Sequence, residues 1–276
     1  MAEFRTSDGL RLHYEDEGSG KPLLCLPGLT RSGRDFDFLR PHMREYRLIT
    51  LDYRGRGQSD HDPDHANYNI FRESHDVVEL IEHLGLERVT LLGTSRGGLI
   101  AMALAASHPE MLAGVILNDI GPVIETSGIA RIMEYLGQKP EWPDHAAAAE
   151  GLGRAMAAQF PGVPHATWRQ QVEASYDATP EGLGLRYDPA LRQAVLEQAA
   201  AGAAPDFWLF FEQLSGIPTG VIRGANSGVL GRETLAEMQR RHPGLIVAEV
   251  PDRGHVPFLD EPEALGVIHD IMERTE

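Results

Sequence analysis

The chain has 276 residues, 42% of them hydrophobic and 24% charged, which is enough apolar material for one large α/β domain and excludes a disordered or collagen-like chain. With 41 acidic and 25 basic side chains the formal net charge is −16, a field that repels phosphate backbones and anionic lipid and so argues against nucleic acid and membrane partners. Its one cysteine, Cys25, leaves no internal disulfide and fits a reducing compartment.

The opening Met1-Ala-Glu-Phe-Arg-Thr-Ser-Asp-Gly9 lacks the charged-then-apolar order of a secretion signal. No apolar run approaches the ~20 residues that span a bilayer, so a cytoplasmic location is expected. Asp8-Gly9 separates two short alternating runs and reads as a hairpin turn. Pro22-Leu-Leu-Cys-Leu26 is a buried strand ending at Pro27-Gly28, and Leu48-Ile-Thr-Leu51 is another, ending in the Gly-punctuated loop Asp52 to Gly57. From about Asn69 to Leu84, apolar residues fall at helical spacing (Val77, Leu80, Ile81, Leu84), with Gly85 as a stop.

Arg88-Val-Thr-Leu-Leu92 reads as a strand, followed by Gly93-Thr-Ser-Arg-Gly-Gly98 and an Ala/Leu-rich helix to about Ser107. Ala113-Gly-Val-Ile-Leu117 is one more strand, leading into Asn118-Asp119-Ile-Gly-Pro122. Strand alternating with helix implies a mostly parallel sheet covered on both faces. The alternation lapses between 122 and 215, where the pattern is mostly helical and all three tryptophans lie, Trp142, Trp168 and Trp208. It resumes with strands at 219–223 and 245–250 and helices near 232–240 and from about 263. The expected organisation is therefore a core of residues 1–121 and 216–276 with an inserted helical lid at 122–215.

Gly93-Thr94-Ser95-Arg96-Gly97 fits G-x-S-x-G, and its place between strand and helix is the setting that a nucleophile elbow requires. Ser95 is the expected nucleophile. A serine hydroxyl needs a base, and His255, in the loop after the last strand, has the position for it. Two backbone amides are the candidate oxyanion donors: Arg96, at the helix N-terminus, and Leu29, in the Pro-Gly loop after the first buried strand.

Across its whole length the chain resembles the α/β-hydrolase family, in its capped, esterase- and lactonase-like branch. The resemblance is carried by Leu26-Pro-Gly-Leu29, Asp52-Tyr-Arg-Gly-Arg-Gly-Gln-Ser-Asp60, Gly93-Thr-Ser-Arg-Gly-Gly98, Arg223-Gly-Ala-Asn-Ser227 and Gly254-His-Val-Pro257. It implies an α/β-hydrolase fold with a lid, and a serine hydrolase that cleaves a small carboxylic ester or lactone through an acyl-enzyme on Ser95. It implies no cofactor and no metal, only a small-molecule substrate. Two other readings stay open: a C–C bond hydrolase of ring-cleavage products, and a catalytically impaired binding protein.

One position departs from the family pattern. The resemblance implies a triad acid, an Asp after the Asn226-Ser227 pair, and the chain has Gly228 there. Asp119, which ends the preceding strand, is the substitute expected to orient His255. Alternatively Asp119 only braces the turn with Gly121-Pro122, and Asn226 or a water orients the histidine. Trp142, Trp208 and Phe207 are candidate pocket residues, or they pack lid on core. His61-Asp-Pro-Asp-His65 reads as a solvated turn before a metal site, and Cys25 as a core residue before a nucleophile.

Overall fold

The computed structural model describes residues 2–202 and 205–275. Eight strands form one sheet in the order β1-β2-β4-β3-β5-β6-β9-β10. β1 (Ala2–Arg5) and β2 (Arg11–Glu17) form the antiparallel hairpin around Asp8-Gly9, and β2 pairs antiparallel with β4 (Arg47–Leu51). β3 (Pro22–Leu26), β5 (Val89–Thr94), β6 (Leu112–Asn118), β9 (Thr219–Gly224) and β10 (Ile246–Val250) continue the sheet from β4 in parallel.

The strands send alternate residues to opposite faces, and both faces are apolar. Leu24, Leu26, Leu91, Val115, Leu117 and Val221 join one core with α1 (Ile70–His83) and α2 (Arg96–Ser107). Their neighbours Leu23, Cys25, Leu92, Ile116 and Ile222 join a second core under α9 (Pro262–Arg274). α2 is buried from Arg96 to Ala105, which explains its Ala-rich, weakly amphipathic sequence.

Between β6 and β9 lie α3 (Thr126–Tyr135), α4 (His145–Met156), α5 (His165–Ser175), α6 (Leu191–Ala200) and α7 (Phe207–Phe211). This stretch was expected to be mostly helical, and it also contains a two-stranded antiparallel ribbon, β7 (Tyr176–Thr179) with β8 (Gly182–Leu185). α7 packs against α2 and buries Phe207 and Phe211 in the first core. α8 (Arg232–Arg241) follows β9.

All parallel strands end on one edge of the sheet. The loops leaving β3, β5, β6, β9 and β10 therefore converge there, as ligand-binding loops do in open α/β sheets. Among the described residues, no helix is long and apolar enough to cross a membrane.

Candidate active site

Ser95 stands between β5 and α2 with φ 50° and ψ −112°, in the left-handed region that L-residues avoid. Glycine beside it is a steric demand: a Cβ on Gly97 would lie 2.1 Å from the Leu26 carbonyl oxygen. The nucleophile elbow, the end of β3 and the loop after it are thus packed backbone against backbone.

His255 lies beyond β10, with its Nε2 3.1 Å from Ser95 Oγ. Its Nδ1 is 2.7 Å from Oδ2 of Asp119, whose side chain is wholly buried. Asp119, at φ 56°, accepts further hydrogen bonds from the Gly224 amide (2.9 Å) on Oδ1 and from Ser227 Oγ (2.6 Å) on Oδ2. The Asn-Ser pair that should precede an acid instead supplies Ser227 as a donor to the acid on the next strand. The loop carrying His255 is braced by buried Glu261, which accepts the Phe258 and Leu259 amides (3.2 and 2.9 Å) and pairs with Arg253 at 2.6 Å.

The turn after β3 is closed by the Arg31 amide donating to the Gly28 carbonyl, 3.1 Å. A Cβ on Gly28 would reach 4.0 Å from Ser95 Cβ, so this turn faces Ser95. The Leu29 and Arg96 amides donate no hydrogen bond among the described residues. The Leu29 carbonyl accepts from Arg56 Nε at 3.0 Å, which fixes the residue's orientation.

Arg56 belongs to a buried ionic cluster. Its Nη1 lies 2.7 Å from Glu73 Oε1, a contact with ion-pair distance but without the direction of a hydrogen bond. Glu73 Oε2 accepts from Arg96 Nε at 2.5 Å, and Arg96 Nη2 donates to the Tyr68 carbonyl at 3.2 Å. Burial opposes the charge on Glu73, but the Arg56 and Arg96 guanidiniums outweigh it and hold its carboxyl below the usual range. Arg56 is lowered too, by burial and the like charge of Arg96 against the pull of Glu73. A carboxylate between two guanidiniums remains ionised. Asp52, which opens the same loop, accepts the Gly33 and Gln58 amides at 2.7 and 2.9 Å. The Asp52–Asp60 motif thus acts as a brace beneath the turn after β3.

The remaining sequence candidates are dispersed. Trp142 meets Tyr176 edge-on at 6.2 Å and borders a cluster built on Phe160, Trp168 and Phe258. Phe207 lies in the first core, where α7 packs against α2, and Trp208 stacks with the Arg241 guanidinium 4.2 Å from its ring centre. His61 and His65 face separate carboxylates, Asp188 at 3.5 Å and Glu197 at 2.9 Å, and no group of metal-holding side chains occurs among the described residues. Cys25 is buried, which pushes its thiol up and away from reactivity.

A serine on a strained strand-to-helix turn, in a parallel sheet with a histidine after the last strand, defines a hydrolase architecture. The family model for the alpha/beta hydrolase fold matches residues 21–262, and the chain belongs to that family. It is 37% identical over 265 residues to the 3-hydroxybutyrate-oligomer hydrolase of Cupriavidus necator, covering 92% of this chain and 89% of that one. It is 26% identical to the 2-(acetamidomethylene)succinate hydrolase of Mesorhizobium japonicum, over 92% and 88% of the two chains. The crystal structure of an alpha/beta hydrolase from Novosphingobium aromaticivorans superposes with a TM-score of 0.92 at 35% identity, over 99% and 98% of the chains.

Proposed function

We propose that this hydrolase cleaves a short carboxylic ester or lactone through an acyl-enzyme on Ser95. The observation that carries the reading is the unbroken series Ser95 Oγ, His255, Asp119, at 3.1 and 2.7 Å. Ser95 Oγ attacks the carbonyl carbon as His255 Nε2 takes its proton, and the amides of Leu29 and Arg96 hold the oxyanion. The tetrahedral adduct collapses, the C–O bond breaks, and the alcohol leaves with the proton from His255. A water, deprotonated by the same nitrogen, then releases the acid and restores Ser95. Asp119 keeps His255 in the tautomer with hydrogen on Nδ1 and stabilises the imidazolium that forms in each step.

The resemblance to a 3-hydroxybutyrate-oligomer hydrolase supports an ester substrate, since such an oligomer of a hydroxy acid is a chain of esters. Residues 122–215 serve as the lid over residues 1–121 and 216–276, and a small molecule is the partner. The binding-protein reading drew on the carboxylate missing at Gly228; Asp119 beside His255 removes that reason.

A fluorophosphonate probe is expected to label the protein once, on Ser95, as located by mass spectrometry, with Ser95→Ala abolishing both label and p-nitrophenyl butyrate hydrolysis. Turnover that survives Ser95→Ala would refute the reading.

A further inference from the structure

Arg31 stands two residues past Leu29, and the mechanism above does not use it. A methyl group on Gly28 would touch both the Arg31 Cγ at 3.5 Å and the Ser95 Cβ at 4.0 Å, so the stem of Arg31 and the nucleophile border one small space. The guanidinium projects toward the segment between β6 and β9. Its Nη1 donates to Ser175 Oγ at the end of α5 and lies 3.6 Å from Asp35. Its Nε and Nη2 have no hydrogen-bond partner among the described residues.

The Arg31 side chain keeps 33% of its surface, and Tyr135, at the end of α3, keeps 50%. Tyr135, Tyr176 and Tyr187 all lie close enough to act on Arg31. Tyr187 is occupied by the Gly137 amide at 2.9 Å, whereas the Tyr135 and Tyr176 hydroxyls bond to nothing among the described residues.

Arg56 is fully buried, and its Nε and Nη1 engage Glu73 and two backbone carbonyls while its Nη2 has no partner among the described residues. Arg31 makes one hydrogen bond, to a neutral hydroxyl, and one longer ion pair, with Asp35 at 3.6 Å, whose carboxylate also accepts from Gln171 at 3.3 Å. A fork of free N–H groups with neutral phenol donors around it matches a carboxylate. In a molecule of net charge −16, an anionic substrate also needs a local cation to be held at all.

We propose that Arg31 anchors a free carboxylate of the substrate a few bonds from the scissile carbonyl, so that the hydrolase acts on hydroxy-acid esters whose acid end is unmasked. This rests on the ester-hydrolase reading for its chemistry, but the anchor can be tested by binding alone. The probes are the linear dimer of 3-hydroxybutyrate as free acid and as its methyl ester, titrated calorimetrically into Ser95→Ala protein. The acid is expected to bind at least about tenfold more tightly than the methyl ester. Adding Arg31→Met should bring that ratio to about one, and Arg31→Lys should retain part of it, with thermal melts confirming that each variant folds. Equal binding of acid and methyl ester, undetectable binding of the acid, or a ratio indifferent to Arg31→Met overturns the proposal. If the ratio behaves as expected while the wild type cleaves neither probe, the ester-hydrolase reading fails and the anchor stands.

Discussion

Asp119→Asn is expected to lower kcat/KM for p-nitrophenyl butyrate about 10⁴-fold with the fold intact. Asparagine has nearly the same shape, so the loss comes from chemistry rather than volume. Oδ2 of Asp119 faces three donors, Ser227 Oγ at 2.6 Å, His255 Nδ1 at 2.7 Å and the Val256 amide at 3.4 Å, and Oδ1 faces a fourth, the Gly224 amide at 2.9 Å. An amide has one oxygen, so its NH₂ must point at one of these donors. If it points at His255, the ring takes the tautomer with hydrogen on Nε2 and cannot accept the Ser95 proton. If it points at Gly224, the negative charge that stabilises the imidazolium is still gone. Ser95→Ala should cost more, on the order of 10⁶, and the double variant no more than Ser95→Ala alone, because the residues act as a unit. Steady-state kinetics at matched protein concentration measure all three. An Asp119→Asn protein within a few-fold of wild type would return Asp119 to a structural brace.

Glu73→Gln is expected to destabilise the fold by about 3–5 kcal/mol, because it leaves the guanidiniums of Arg56 and Arg96 buried without a counter-charge. Arg56 and Glu73 are inaccessible to solvent and Arg96 nearly so, and none can swing out to water. Urea melts of wild type and variant give the difference directly, and a loss under about 1 kcal/mol would show the cluster to be dispensable. Since the folded carboxyl lies below its ordinary value of 4.5, its contribution is present above that pH and disappears as pH falls through the folded value. The gap between wild type and variant should therefore narrow on acidification. Activity should fall with stability, because Arg56 also holds the Leu29 carbonyl at 3.0 Å.

The sheet was legible because its strands are short apolar runs closed by Gly, Pro or Asp, and the buried strands β3, β5, β6 and β9 lie where those runs lie. The β7–β8 ribbon was not, since Tyr176–Thr179 and Gly182–Leu185 are only four residues each, too short for their alternation to mark a strand, and owe their form to pairing. Ser95 and His255 could be named from local context. Asp119 could be named only beside an alternative, because strand adjacency decides it: β6 lies beside β9, which brings Asp119 within reach of the loop where the motif lacks a carboxylate. Glu73, Glu261 and Arg31 were missed for a related reason. Each is a common charged residue whose role depends on partners distant in sequence. The tryptophan reading failed to separate core from pocket, because aromatic residues serve both and Trp208 is held by Arg241, a contact with no sequence signature.

The backbone at Ser95, at φ 50° and ψ −112°, sets durability against reactivity at a single residue. Glycine adopts such angles freely, and a left-handed serine costs on the order of 1–3 kcal/mol. A Ser95→Gly chain should therefore melt above the wild type while losing the reaction altogether. Selection of variants for heat resistance alone would drift toward discarding the nucleophile, so any programme to toughen this enzyme has to screen for turnover at every round.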